Sequence, residues 1–513
     1  MSDVNAARHL AATGDRHAVE GRLEEAFAAY RDSVRAAPEL ARGYVGAARI
    51  LIERGDFGQA TQVLSRGLAA TDGEGAKLIA PPLAGLLAGL APTTWHRQLD
   101  HDLTACLTSP AVDPQTLAKA AARLLLLKTP EGKVPDDDPL WLAFLTRCIN
   151  VDAAMEARLT TLRRAVLARG QGTGLAEALG QQAASGEYLW PVNDAERQAL
   201  DALGDDAAVL RAMYEPETGP PVADAGSDVV RQHYEENPYP RWSAPPAPQP
   251  RALRSVIEAL PGVGAGLLSA PPLSVLVAGC GTGFEPIELA RMDPTLTITA
   301  MDLSRASISY AEAKASELQV EGVTFMQGDL LNVGTLNRTF DVITSTGVLH
   351  HLERPEAGLA ALVRVLAPGG VMRLALYSER GRALVKLAHQ EIAARGLTPS
   401  PDDIRTFRNH VLALPADAPL AALRESDDFY SVSGCRDLLF HAREHRYKPL
   451  QLGELLAGAG LRLVGFEATR EARTRFVEAF GAGADRLDLA LWDRLEQNHP
   501  TLFAGMYHLW AQR

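Results

Sequence analysis

The stretch from Val275 to Met292 constrains the fold more than any other part of the chain. Apolar residues 275–278 lead into a loop in which glycine alternates with other residues, and an amphipathic helical pattern starts at Phe284. A glycine-rich turn between a strand and a helix lets a ligand approach the backbone closely. Strand and helix patterns keep alternating to the end of the chain, which predicts a mostly parallel sheet with helices on both faces.

Seven segments of this half have the composition of buried strands: 274–278, 296–301, 323–327, 340–344, 371–377, 461–468 and 504–511. Amphipathic patterns separate the early ones. The interval 383–448 is too long for a simple connection. It therefore predicts an inserted helical element, placed after the fifth strand, that can reach over the carboxyl edge of the sheet, where ligands bind in such folds.

The start of the chain contains an internal repeat. Gly21 and Leu23 reappear as Gly55 and Phe57. A period of about 34 residues, with small residues where helices would cross, resembles tetratricopeptide repeats over positions 5–72, although a generic pair of helical hairpins remains an alternative. From 75 to 215 the pattern stays helical but loses the period, and we expect degenerate repeats there. One such helix, 154–167, is expected to carry Arg163 on its outer face.

Proline-rich and glycine-rich segments mark the domain boundaries. Residues 215–227 are rich in Pro, Gly and Ala, and residues 243–250 contain four prolines. The stiff aromatic segment 234–242 lies between them. We predict a helical-repeat domain over 1–215, a linker and lid over 216–250, and a strand-and-helix domain over 251–513, with 383–448 as its cap.

Two carboxylates stand at the ends of the second and third predicted strands. Asp302 follows the glycine loop at the distance of a ribose-binding acid, and Asp329 could accept from an adenine amino group. Together with the loop they resemble class I S-adenosylmethionine-dependent methyltransferases, over roughly 251–513. The segments 340–343, 348–352 and 366–370 add to the resemblance. Val277 departs from it, because many members carry an acidic residue there that orients the methionine amino group.

The resemblance implies a Rossmann-like seven-stranded domain that binds S-adenosyl-L-methionine. The implied cofactor-binding residues lie at strand ends and in the loops after them: Gly279, Cys280, Gly281, Gly283, Asp302, Leu303, Asp329, Leu330, Thr346 and Gly347.

Methyl transfer to an O–H or N–H acceptor needs a group that removes a proton. His350 and His351, directly after the fourth strand, are candidate bases, and the alternative is that they only pack the following helix. Tyr239 is the third candidate catalytic residue. It lies in the segment 234–242, which we expect either to close over the cofactor or to strap the domains together.

Further residues are candidates for contacting the acceptor: Tyr234, Asn237, Arg241, Tyr377, Tyr430, His441 and His445. We expect segments 234–242 and 428–445 to meet above the glycine loop. A spacing of four would place His441 and His445 on one face of a helix, as in some metal sites, but no third ligand is evident and no metal is predicted. A packed polar helix is the alternative.

Charge and composition restrict the partners. The net charge of −12 argues against a broad nucleic-acid-binding surface. The four cysteines are far apart, and neither a signal peptide nor a membrane-spanning run is evident, so we expect reduced thiols and a cytoplasmic location. Repeat grooves usually bind peptides. We therefore expect a protein or peptide substrate, with small-molecule O-, N- or C-methylation as the alternative and the repeat domain then serving oligomerisation or regulation.

Overall fold

The computed structural model describes residues 2–131, 133–170, 172–203, 207–214, 235, 238–240, 242, 250–263, 272–441 and 443–513. These residues form two compact units. The first holds the described residues up to 214, with Trp242 and residues 424–432; the second holds Glu235, residues 238–240, 250–423 and 433–513. The predicted linker 215–227 and three lid candidates, Tyr234, Asn237 and Arg241, lie outside the described residues.

The first unit is helical. Its described residues form α1 (Ser2–Val19), α2 (Leu23–Ala36), α3 (Ala41–Glu53), α4 (Phe57–Ala70), α5 (Gly73–Leu87), α6 (Arg97–Thr108), α7 (Ala118–Lys128), α8 (Pro139–Arg147), α9 (Ala153–Arg169), α10 (Gly174–Ser185), α11 (Asp194–Asp201) and α12 (Ala208–Arg211), with a 3₁₀ turn at Pro114–Leu117.

Helix pairs at the start of this unit recur at the spacing of the sequence repeat. Helix α2 begins at Leu23, and α4 begins at the equivalent position of the second repeat, Phe57. Each pair turns at a glycine in the left-handed region, Gly21 with φ +75° and Gly55 with φ +79°. A Cβ atom at Gly46 would lie 2.3 Å from the Tyr30 ring, so a small residue is needed where α2 and α3 cross.

The 34-residue spacing also recurs later in this unit, where the sequence pattern had lost its period. The Gln115 side chain hydrogen-bonds to both the N–H and the carbonyl of Ile149, 34 residues away. The Gln182 side chain donates to the carbonyl of Cys148, again 34 residues away, and accepts from the N–H of Asn150. These bonds join a side chain to the backbone, so the apolar pattern of the sequence does not reveal them.

The expectation that Arg163 lies on an outer face is wrong. Its side chain is 1% exposed. It donates to the Glu196 carboxylate at 3.0 Å, and its guanidinium lies 4.3 Å from the centre of the Tyr214 ring. A charged partner and an aromatic face allow an arginine to be buried on a helix packed on more than one side.

The second unit contains a seven-stranded sheet, as predicted. Its strands are β1 (Ser274–Ala278), β2 (Thr297–Asp302), β3 (Val323–Gln327), β4 (Phe340–Thr346), β5 (Leu366–Tyr377), β6 (Arg462–Glu467) and β7 (Met506–Gln512). Their order is β3-β2-β1-β4-β5-β7-β6, with β7 antiparallel to both neighbours and the other pairings parallel. Strand β5 begins earlier than predicted because Leu366 pairs with Phe340 before a register shift.

Helices surround this sheet. Its described residues form α13 (Leu253–Glu258), α14 (Phe284–Met292), α15 (Arg305–Glu317), α16 (Pro355–Arg364), α17 (Ala383–Ala394), α18 (Pro401–Ala413), α19 (Val432–Leu439), α20 (Pro449–Gly458), α21 (Arg470–Phe480) and α22 (Leu489–Asn498). Short 3₁₀ turns lie at Leu330–Leu336, Leu349–His351, Pro419–Glu425 and Asp427–Tyr430. Among the described helices, none is long and apolar enough to cross a membrane.

Strand β1 is apolar on both faces. Val275 and Val277 belong to one buried cluster, and Leu276 and Ala278 belong to another. Burial on both faces holds β1 between β2 and β4, so the carboxyl ends of these parallel strands lie at one edge of the sheet. The glycine loop and both predicted acids follow strands that end there.

Candidate functional site

The glycine loop needs glycine at each of its three positions. Gly279, Gly281 and Gly283 have φ values of +81°, +50° and +87°. A Cβ atom at Gly279 would lie 2.2 Å from a methyl carbon of Val348, and one at Gly283 would lie 2.5 Å from the Cβ atom of Ala311. The loop is therefore held close to the element after β4 on one side and to α15 on the other.

Asp302 is fixed by the backbone around it. Its Oδ2 atom accepts the N–H of Gly281 at 2.7 Å, and its Oδ1 atom accepts the N–H of Ser304 at 2.9 Å. Burial raises the pKa of this carboxyl, and these backbone bonds oppose the rise. Each oxygen keeps lone-pair capacity after one accepted bond, so the carboxylate can still accept from ribose hydroxyls.

Glu235 is a residue that sequence reasoning missed. Its carboxylate accepts the N–H groups of Arg305 and Ala306, at 2.7 and 2.9 Å, where α15 begins. Its negative charge lies near enough to Asp302 to raise the pKa of that carboxyl. The only signal in the sequence was an acid within the aromatic segment 234–242, and nothing there pointed to a helix 70 residues away.

The segment containing Tyr239 lies against the glycine loop. A Cβ atom at Gly281 would lie 3.1 Å from the Tyr239 carbonyl oxygen. The Thr282 hydroxyl donates a hydrogen bond to the carbonyl of Pro240. The backbone of residues 239–240 thus contacts the glycine loop at Gly281 and Thr282, which places Tyr239 beside the predicted cofactor site.

Asp329 lies two residues beyond the end of β3, at Gln327, and caps the 3₁₀ turn that follows. One oxygen accepts the N–H of Leu331 at 2.8 Å. The following Leu330 is buried, so the chain is anchored there while the carboxylate stays partly exposed. Leu303, after β2, receives a hydrogen bond from the Gln327 side chain on its carbonyl. The ends of β2 and β3 are therefore tied together beside the predicted adenosine site.

Arg373 and its carboxylate partners form a second charged group that sequence reasoning missed. Arg373 lies opposite Thr344 of β4. Arg373 on β5 pairs with Glu285 at 3.3 Å and with both oxygens of Glu467. Burial raises the pKa of Glu285, and Arg373 and the hydroxyls of Thr346 and Thr344 oppose this. Those hydroxyls lie toward the carboxylate without reaching hydrogen-bonding geometry. Glu285, in the first turn of α14, thus brings a carboxylate paired with Arg373 close to Thr346.

His350 and His351 are both buried after β4 and contact each other. Their Nε2 atoms are 3.1 Å apart, and His351 Nδ1 lies 2.8 Å from the carbonyl oxygen of Arg443. Burial lowers the pKa of His351 to about 4 and holds the pKa of His350 well below its usual value. Both rings are therefore neutral at neutral pH.

Aromatic and basic side chains surround this pair. The centre of the Tyr377 ring lies 4.0 Å from that of His350, and the His441 ring stacks on His351 at 3.6 Å. The Arg382 guanidinium lies 4.0 Å from the centre of the Tyr377 ring and pairs with Glu444. Three candidates from distant parts of the sequence are thus brought together around His351.

The prediction that His441 and His445 share a helix face is wrong. Helix α19 ends at Leu439, and neither Phe440 and His441 nor residues 443–446 are helical. His441 is buried, whereas His445 is exposed and contributes its backbone N–H to the carbonyl of His350. The N–H of Tyr447 bonds to the carbonyl of Tyr377, so residues near Tyr447 pair with the end of β5 instead of forming a helix.

His351, Asp437 and His441 are the cluster of metal-ligand type found among the described residues. Its hydrogen bonds do not suit a metal. His351 Nε2 already faces His350, and His441 Nδ1 accepts the N–H of Arg443, which leaves its hydrogen on Nε2. The absence of a metal stays a prediction, and both histidines hydrogen-bond to the backbone of Arg443.

Tyr430 belongs to the first unit. Its side chain is buried, and its hydroxyl donates to the carbonyl of Arg424 at 2.8 Å. In the same unit Lys119 pairs with Asp427, so residues 424–430 are attached to the helical unit by side-chain contacts. The role of Tyr430 as a contact of the methyl acceptor stays a prediction.

The strands and loops at this edge of the sheet are similar to those of known proteins. Residues 275–370 match a family model described as a methyltransferase domain. Residues 275–370 therefore lie in an S-adenosylmethionine-dependent methyltransferase domain. Its residues fit that cofactor, because the Asp302 carboxylate keeps lone pairs for hydroxyl donors and the glycine loop beside it carries no side chain at Gly279, Gly281 or Gly283. When bound, the cofactor supplies a methyl group on a positively charged sulfur.

Several proteins are similar to this methyltransferase domain, and their names describe different acceptors or none. An uncharacterized protein of Synechococcus sp. is 35% identical over 37% of this chain and 48% of its own length. The malonyl-[acyl-carrier protein] O-methyltransferase of Halalkalibacterium halodurans is 34% identical over 20% of this chain and 38% of its own. The trans-aconitate 2-methyltransferase of Deinococcus radiodurans is 32% identical over 23% and 43%. The chain thus spans less than half the length of these relatives.

Among solved structures, PKMT2 from Rickettsia typhi in complex with AdoHcy is 15% identical, with a TM-score of 0.37, over 54% of this chain and 53% of that one.

Proposed function

We propose that the whole protein transfers a methyl group from S-adenosylmethionine to a protein or peptide recruited by its helical N-terminal unit. The observation that carries this proposal is the presence, in one chain, of a methyltransferase domain and a helical unit whose helix pairs recur at the spacing of the sequence repeat. We assign those pairs as tetratricopeptide-like repeats and α5–α11 as degenerate ones. Grooves of such repeats hold peptides, and tethering raises the effective concentration of a bound substrate at the catalytic domain.

The candidate acceptor side of the site is formed by the His350 cluster, and the backbone of Tyr239 lies against the glycine loop. We assign the helices of 383–423 and the loop after Leu439 as the cap of the acceptor site, because the contacts of Arg382 with Glu444 and of His441 with His351 lie on these elements. The polar and aromatic character of this cluster is typical of a pocket wall. A cytoplasmic location is part of the same proposal.

Small-molecule methylation is the second candidate function. The match to a trans-aconitate 2-methyltransferase favours it, because that name describes a small acceptor. In this case the helical unit would serve oligomerisation or regulation rather than recruitment.

One experiment separates the two functions. The purified full-length protein is incubated with methyl-labelled cofactor and fractionated cell lysate, with Asp302→Ala as the matched inactive control. Label in a discrete protein band, absent from the control, would support the proposal. Label confined to the small-molecule fraction would overturn it in favour of the second function, and loss of label in mild alkali would identify a carboxyl ester.

A further inference from the structure

The hydrogen bonds of His351 determine where its proton lies. Its Nδ1 atom is 2.8 Å from the carbonyl oxygen of Arg443, and a carbonyl oxygen can only accept, so Nδ1 carries the hydrogen. In a neutral ring the Nε2 atom is then a bare acceptor. The pKa of His351, lowered by burial to about 4, keeps the ring neutral at neutral pH.

The same reasoning then determines the tautomer of His350. Its Nε2 atom is 3.1 Å from the bare Nε2 atom of His351, so it must be the donor. The hydrogen of a neutral His350 therefore lies on Nε2, and its Nδ1 atom carries the lone pair. His350 is fully buried, and within the described part of the chain no group hydrogen-bonds to its Nδ1 atom. Burying a hydrogen-bond acceptor without a partner lowers the stability of the folded protein, and such groups are commonly retained for function.

The charged and titratable groups around His350 keep its ring neutral. They are His351, Arg382, His441 and His445, and each lowers the pKa of His350, as burial does. The Tyr377 ring covers another side. The Glu444 carboxylate beside this cluster is paired with Arg382 and Arg446, so the lone pair on Nδ1 is available in the neutral range.

We infer that His351 sets the tautomer of His350, so that His350 Nδ1 accepts the proton of a hydroxyl or amine acceptor during methyl transfer. The chemical role rests on the proposed function, whereas the tautomer does not. As the acceptor's oxygen or nitrogen gains the methyl carbon, its proton moves to Nδ1 and the positive charge ends on the imidazolium. The electron pair of the broken carbon–sulfur bond stays on sulfur. His351 is a positioning residue, since its bare Nε2 atom goes on accepting from His350.

The tautomer is tested without any substrate. In the full-length protein with ¹⁵N-labelled histidine at pH 7.5, the His350 signals are identified by their loss in His350→Gln. We expect a protonated Nε2 and an unprotonated Nδ1 in the wild type, and loss of this preference in His351→Phe, which keeps the ring volume but offers no acceptor. A hydrogen on Nδ1 in the wild type would overturn the inference.

The proton-accepting role is tested by the labelling rate of the fraction that the wild type methylates. We expect His350→Gln to lower the rate by about 10²-fold or more, with unchanged cofactor affinity and loss of the acidic limb of the pH–rate profile. His351→Phe should also be slow, and His351→Gln should recover part of the rate because its amide oxygen accepts. The control His499→Gln should match the wild type.

These outcomes can be told apart. A labelling rate of His350→Gln within about twofold of the wild type would overturn the proton-accepting role, since general-base removal is expected to cost about 10²-fold. Label in an acceptor without a proton to lose, such as a carboxylate, would also overturn it. If the wild type labels nothing, the proposed function fails and the proton-accepting role fails with it, while the nitrogen spectra still decide the tautomer.

Discussion

The carboxylate of Asp302 accepts the backbone N–H of Gly281 at 2.7 Å, which joins the end of β2 to the centre of the glycine loop. The other oxygen holds Ser304 at the start of α15. One side chain thus positions the two backbone segments between which the ribose of the cofactor is expected to lie. Asp302 therefore shapes this edge of the sheet, and its contact with the ribose stays a prediction.

Replacing this carboxylate should weaken cofactor binding. Hydrogen bonds to a charged group contribute about 1.5–3 kcal/mol each, so Asp302→Ala should lower the affinity for S-adenosylhomocysteine by at least about tenfold. It should also lower the melting temperature, since two backbone N–H groups lose their acceptor. Calorimetric titration measures the first effect, and Glu312→Ala, at an exposed position on α15, is the control. Wild-type affinity in folded Asp302→Ala would refute the site assignment.

A pair of glycine substitutions separates backbone strain from occupation of the cofactor space. Gly281 and Gly396 both have positive φ, +50° and +64°, but only a Cβ atom at Gly281 would meet a neighbour, the carbonyl oxygen of Tyr239 at 3.1 Å. Both alanine variants should lose about 1–2 kcal/mol of unfolding free energy. Only Gly281→Ala should also lose cofactor affinity. Equal affinity in the two variants would show that the loop is not the binding element.

Much of the methyltransferase domain could be predicted from the sequence, because apolar strands and glycine turns are local signals. The strand at 323–327 was predicted with its observed bounds. The contacts of Glu235 and the pairing of Arg373 could not be predicted, since both depend on which distant elements the fold brings together. His441 shows the opposite error: a local spacing suggested a helix, and pairing of the following residues with β5 prevented it.

Acid should destabilise the second unit through its buried histidines. Burial lowers the pKa of His351 and of His441 to about 4, from an ordinary value near 6.5, so the unfolded chain binds more protons between these values. Stability is then complete above pH 6.5 and is lost as the pH falls toward 4. At pH 5 each ring should account for about 2 kcal/mol. Urea unfolding at pH 7 and pH 5 measures the loss, which should shrink in His441→Gln.

The ion pair of Arg382 and Glu444 gives the last prediction. Both side chains are almost fully buried, 6% and 2% exposed, and the pKa of Glu444 is lowered by Arg382 despite burial. Removing Glu444 leaves the buried Arg382 cation without its ion-pair partner, so Glu444→Met should lower the unfolding free energy by about 3–5 kcal/mol. Arg382→Met should cost less, because Glu444 keeps a second partner, Arg446, at 3.2 Å.

The double variant should be less destabilised than the sum of the single ones, because no isolated charge remains. Urea unfolding of all four proteins at pH 7 measures the coupling. Arg382→Met should also remove the cation above the Tyr377 ring, and with it one of the charges that lower the pKa of His350. The pKa of His350 should consequently rise toward its usual value. Additive losses of stability would mean that Arg382 and Glu444 are not energetically coupled. An unchanged pKa of His350 would mean that Arg382 does not influence that ring.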